Sequence, residues 1–269
     1  MLIDFHTHCF PDKLAKRAVE QLSYVSGGIK YYNDATIVGL KKSMAENGVD
    51  KSVVLNIATN EHQMENVNNF AASVNGGNIV AFGSVYPHSS KALYELERIK
   101  ELGLKGVKLH PEYQEFYVDD EKMKPVYKKI SQLGLITVFH AGHDNGYLPP
   151  YHCMPENMKN ALKWFDSPVV AAHWGGLGCA EEVTKQLCGL DIYFDVSFGY
   201  CQMSRAAAVG IIEKHGAGKM LFGTDSPWHT PELEMRLLNT LGLSDEEMDM
   251  ICFKNAENLL KSVQDEAKV

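Results

Sequence analysis

Short runs rich in β-branched and aromatic residues recur along the chain, at 2–6, 52–57, 79–85, 106–110, 135–141, 168–173, 191–197 and 220–225. Apolar runs of this length, bounded by turn formers, predict buried strands. The segments between them change period. Ile37, Leu40 and Met44 follow Thr36 and close at Gly48. Leu93, Leu96 and Ile99 follow Ser90 and close at Gly103, and Met123, Val126, Tyr127 and Ile130 follow Asp120 and close at Gly134. Apolar residues three and four apart, opened by Ser, Thr or Asp and ended by Gly, predict amphipathic helices.

Alternating strands and helices predict a parallel sheet, because parallel neighbours need a crossover connection. Eight such units match an α/β fold of the (β/α)8 TIM-barrel type, as a single domain over 1–269. An open doubly wound sheet is the rival. It usually holds a nucleotide at a Gly-rich first turn, whereas the first run here ends in HTHCFP. The sequence shows no internal repeat beyond the βα unit, no low-complexity stretch and no linker.

Composition changes this picture little. Hydrophobic residues make up 45% and charged residues 22%, as in a soluble enzyme. The net charge of -8, with no basic stripe, argues against nucleic acid and anionic membrane as partners. No apolar run reaches the length of a membrane span, and Asp4 and His6 interrupt the first run too early for a secretory signal. The six cysteines are scattered without a CxxC pair, which predicts reduced thiols in a cytoplasmic protein. Cys9, beside the histidines, reads as a small packed residue. The expected partner is a small-molecule substrate, with homodimerisation left open.

The polar residues carry the chemistry, and they gather at strand ends. In a strand, His6 and His8 would share a face with Cα atoms about 6.6 Å apart, close enough for one ion at about 2.0–2.1 Å from each nitrogen. Alone, that spacing equally suits two solvated side chains. Further ends bring Lys108 and His110, His140 with His143 and Asp144, His173 before Trp174, and Asp225. Seven of the 11 histidines fall at or just beyond a strand end, where barrels of this type hold their active sites. His6, His8 and His140 would supply neutral nitrogens and Asp225 a carboxylate to a catalytic zinc. A carboxylate beside the activated water also suits a general base, and His173 a proton shuttle or a ligand of a second ion. Trp174 and Trp228 read as pocket walls or as cover for the barrel mouth. The Pro-rich stretch 146–158 reads as a lid or as padding.

DFHTH, GVKLHP, VFHAGH, AHWGG and FGTDSPW, in that order, resemble the amidohydrolase superfamily, and most closely its amidohydrolase-2 branch, related to aminocarboxymuconate-semialdehyde decarboxylase. The resemblance runs from Asp4 to the KNAENLL stretch at 254–260. It implies a metal-dependent enzyme with His6, His8, His140 and Asp225 as ligands and His173 as the strand-six histidine. Two departures stand out. GVKLHP has no strand-four Glu of the kind found in related metal-dependent deoxyribonucleases, and the chain is shorter than the decarboxylases.

Lys108 and His110 are the expected substrate-binding residues. Carboxylation of Lys108 would turn it into a bridge between two ions; without that, one ion per chain, Zn2+ or another divalent metal such as Mn2+, is expected. The function expected is a zinc-dependent hydrolase of a small-molecule C–N or C–O bond, with Asp225 and His173 catalytic. A non-oxidative decarboxylase and a metal-bound binding protein without turnover are the alternatives.

Overall fold

Thr36 and Gly48 bound a helix as the spacing predicts. The Thr36 side chain accepts a hydrogen bond from the Gly39 N–H (2.9 Å), and Gly48 leaves the helix at φ 66°. The structure, a computed structural model, describes residues 1–263; the end of the expected 1–269 domain, 264–269, lies outside the described residues.

The strands are β1 (Ile3–Thr7), β2 (Lys51–Leu55), β3 (Ile79–Phe82), β4 (Gly106–Leu109), β5 (Ile136–Phe139), β6 (Val169–Ala171), β7 (Tyr193–Asp195) and β8 (Met220–Leu221). The helices before β5 are α1 (Asp12–Val25), α2 (Ile37–Asn47), α3 (Met64–Val74), α4 (Ala92–Glu101) and α5 (Lys124–Gln132). Those after it are α6 (Pro155–Leu162), α7 (Ala180–Gln186), α8 (Arg205–His215), α9 (Pro231–Leu238), α10 (Asp245–Asp249) and α11 (Asn255–Ser262).

Two predicted helix starts shift. Asp120 caps a single 3-10 turn, Glu121–Met123, before α5 begins. The Ser89 hydroxyl, rather than Ser90, takes the Lys91 N–H (3.0 Å) just ahead of α4.

Every strand pairing is parallel, in two groups ordered β1-β2-β3 and β4-β5-β6-β7-β8. Short bridges join the groups on both sides. Gly83 N–H donates to Gly106 O and Lys108 N–H to Gly83 O, each at 2.9 Å. On the other side Phe5 N–H donates to Phe222 O and Asp225 N–H to His6 O, each at 2.8 Å, and Thr7 bridges Ser226. The strands thus run in a ring, the (β/α)8 barrel.

Side-chain alternation builds the layers. Val107 and Leu109 pack with helix residues such as Leu96 and Ile130, so Lys108 between them faces the barrel interior. Inside, Phe5, Val53, Leu55, Phe82 and Val138 form a separate apolar cluster, which also takes in Leu259 and Leu260 of α11. No helix among the described residues is long and apolar enough to cross a membrane.

Candidate metal centre

At the ends of β1 and β8 the chain brings three electron-pair donors together. His6 Nε2 lies 3.2 Å from His8 Nε2 and 3.3 Å from Asp225 Oδ1, and His8 Nε2 lies 3.1 Å from the same oxygen. Gly223 makes room, since a Cβ there would meet the His6 Cβ at 3.0 Å. The other ring nitrogens fix which atoms carry hydrogen. His6 Nδ1 faces Asp195 Oδ2 (2.8 Å) and His8 Nδ1 faces the Leu55 carbonyl (2.8 Å). Both oxygens only accept, so both Nδ1 atoms hold the proton and both Nε2 atoms present lone pairs.

Two imidazole lone pairs and a carboxylate oxygen at this range repel one another unless a cation lies among them. Ligands at about 2.0–2.1 Å around a tetrahedral zinc stand about 3.3 Å from each other, so the donor set fits a divalent ion. Lys108 Nζ, 3.4 Å from His6 Nε2, can relieve that one nitrogen but not the other two atoms.

His140 belongs to a neighbouring group. Its Nε2 donates to the His143 carbonyl (3.0 Å), which leaves Nδ1 as a lone pair facing His173 Nε2 at 3.1 Å. The His173 ring in turn lies 5.0 Å, centroid to centroid, from that of His6. The structure therefore brings His6, His8 and Asp225 into one cluster and sets His140 one imidazole away, beyond His173. His110 stacks between Tyr113 (3.6 Å) and His140 (4.2 Å), with Nε2 3.4 Å from Asp144 Oδ2.

His110, His140 and Asp144 could also be grouped around an ion. However, His140 Nε2–H is committed to a carbonyl, and His110 Nδ1 accepts from Tyr113 N–H (3.5 Å), which leaves Nε2–H pointing at Asp144. The trio's own hydrogens are thus paired among these acceptors, while His140 Nδ1 and His173 Nε2 face each other as lone pairs.

Burial sets the charges. It lowers His6 to about 4, assisted by the nearby Lys108 charge, and drives His173 and His110 well below the usual imidazole value. It also brings Lys108, 1% exposed, down to about 8. Burial opposes ionisation of Asp195 and Asp225, yet the adjacent His6 and His173 outweigh it and hold both carboxyls below the usual range. His6 and His173 are thus neutral and Asp195 and Asp225 ionised, the protonation states that ligate metals.

Backbone conformation aims these groups. His173 (φ 60°), Trp174 (φ 60°) and Asp225 (φ 62°) all adopt the left-handed region, at a cost of order 1–3 kcal/mol each.

Sequence reasoning missed Asp195 and Ser197. Asp195 Oδ1 accepts from the backbone N–H of His173 (3.0 Å) and of Ser197 (3.1 Å), and also from the Ser197 hydroxyl. Ser197 Oγ, its hydrogen committed there, accepts from His173 Nδ1 (2.9 Å). One carboxylate thereby orients both His6 and His173. A charged residue inside the predicted run 191–197 was the available signal: an Asp in a buried strand needs a dedicated partner.

Other readings resolve simply. Trp174 is buried, donates to the Val196 carbonyl (2.9 Å) and does not line the cavity, whereas Trp228 does. Cys9 packs in the core, and burial pushes its thiol up to about 12. Above the cluster opens a cavity of about 610 Å³, within the size range of small-molecule sites.

Known proteins share this architecture. An uncharacterised TIM-barrel protein from Bordetella bronchiseptica superposes with a TM-score of 0.76 at 19% identity, over 97% of this chain and 99% of that one. 5-Carboxyvanillate decarboxylase from Sphingomonas paucimobilis gives 0.71 at 15% identity, over 97% and 98% of the two chains. A 2,6-dihydroxybenzoate decarboxylase from Rhizobium gives 0.69 at 14% identity, over 97% and 98%. At such identities these likenesses speak for the fold. No curated protein matches the sequence. The family model described as amidohydrolase matches residues 3–261, and with barrel, strand-end histidines and metal-fitting cluster in agreement, the chain belongs to the amidohydrolase-2 family, whose metal-dependent members include hydrolases and decarboxylases.

Proposed function

We propose that the protein is a zinc-dependent hydrolase of a C–N or C–O bond in a small molecule. The observation that carries this reading is the convergence of His6 Nε2, His8 Nε2 and Asp225 Oδ1 within 3.3 Å of one another, with no hydrogen of their own between them. In this reading His6, His8 and Asp225 would hold one ion, and His140, the expected fourth ligand, would join by turning Nδ1 away from His173. A divalent cation there would supply acidified water and stabilise the negative charge that develops on the substrate oxygen.

The chain's own groups do the rest. Asp225, on its second carboxylate oxygen, or His173, neutral and held at Nδ1 by Ser197 with Nε2 free to accept, takes the proton of the attacking water and passes that same proton to the leaving group. Lys108 and His110, on the interior side of β4 and just after it, orient the substrate.

Lys108 also favours a second reading. A buried cation 3.4 Å from His6 Nε2 suits a substrate carboxylate, as a non-oxidative decarboxylase requires. In that case His173 or Asp225 would protonate the carbanion. A screen of amides, lactones, esters and aromatic carboxylates with Zn2+- and Mn2+-loaded protein in 18O-labelled water separates the two. Hydrolysis places the label in product and stops on chelation. Carbon dioxide release without label incorporation would replace the hydrolase assignment, and turnover that survives chelation would remove the metal from the reaction.

A further inference from the structure

The cavity above the metal cluster has two unlike ends. Lys108, Asp144, Asp225 and the histidines line its floor. Away from the floor, its walls come from two helices. Leu14, Ala18 and Leu22 of α1 recur every fourth residue and face the cavity, while the residues that bury α1 against the barrel are Ala15 and Val19. Ile57, just after β2, and Val67 and Phe70 of α3 line the same cavity.

Leu14, Leu22 and Ile57 belong to neither apolar core, and Leu14 is 56% exposed. The fold does not need apolar side chains at these positions, yet together they line the cavity, alongside Gln21, Gln63 and Asn66. Arg17 is the charged residue lining this half, and its position is exposed.

We propose, building on the hydrolase reading above, that the substrate is amphiphilic. Its reacting polar group sits on the floor by Asp225 and His173. Its uncharged body, a hydrocarbon chain or aromatic ring, lies between α1 and α3. Each methylene added to such a body contributes about a fourfold gain in binding until the wall is covered.

Straight-chain monocarboxylates from butanoate to decanoate, titrated calorimetrically into the zinc-loaded and the metal-free protein, test this. The expected result is a dissociation constant that falls about fourfold per methylene.

Ala18→Trp, which fills the wall, should flatten the chain-length dependence while leaving butanoate binding in place. Leu22→Asn, a milder change, should make it shallower. A flat series in the parent protein would overturn the proposal. A steep series in a protein that hydrolyses nothing would support the apolar wall and discard the hydrolase reading instead.

Discussion

His173 is the residue on which the count of ions turns. Its Nδ1 is tied to Ser197 and its Nε2 faces the lone pair of His140, so it can act either as an acid–base group or as a ligand. The proposal of one ion per chain makes it the former. His173→Asn should then retain one zinc per chain by elemental analysis and lose turnover by about 10²–10⁴, the usual contribution of a positioned acid or base. A stoichiometry of two in the parent that falls to one in the variant would assign His173 to a second ion. The candidate residues at this scale were legible because histidine is scarce and its clustering at strand ends is visible in one dimension. Asp195 and Ser197 were not, because their roles exist only where β7 meets the rings of β1 and β6. The left-handed turns at His173 and Asp225 were also hidden, since sequence signals that conformation mainly through glycine.

At the scale of elements, the loop after β7 depends on α9. Glu234 Oε2 accepts from the backbone N–H of Gly199 (3.0 Å) and of Tyr200 (3.1 Å), and its other oxygen pairs with His229. The His229 ring stacks on Phe198, which lines the cavity beside His173. Glu234→Ala removes the acceptor shared by these three donors and leaves the buried Gly199 N–H unpaired. The expected loss is about 1–3 kcal/mol, read as a drop of several degrees in Tm by calorimetry; an unchanged Tm would show that solvent replaces the carboxylate at no cost. Element boundaries were partly legible. α2 lies where Thr36 and Gly48 put it, because both signals act locally. The strand predicted over 220–225 shrinks to Met220–Leu221, since the next amide, Phe222 N–H, donates to the Ile251 carbonyl instead of to a ladder partner. No pattern in six residues could reveal an acceptor so distant in sequence.

For the whole molecule, alternation of strand and helix was enough to reach the barrel, because a parallel sheet of this kind admits few topologies. The proposed ion adds a global term. A ligand at about 100 times its dissociation constant stabilises the folded state by about 2.7 kcal/mol, so stripping the metal should lower Tm by several degrees and readdition should restore it. An unaltered Tm across chelation, with metal loss verified by elemental analysis, would mean that the cluster binds too weakly to matter for folding.

The bridge between β8 and β1 has a consequence in time. His6 and His8 are translated with β1, whereas Asp225 arrives only after all eight strands have been made. A nascent chain can complete the His8 hydrogen bond to the Leu55 carbonyl early on, but His6 waits for Asp195 on β7, and the Asp225 carboxylate facing both rings comes later still. A cation held as proposed would therefore meet its full set of partners only when the two ends of the ring have met. On that reading, capture of the ion and closure of the barrel are one late event, and a chain truncated before Asp225 would keep the histidines without the grip.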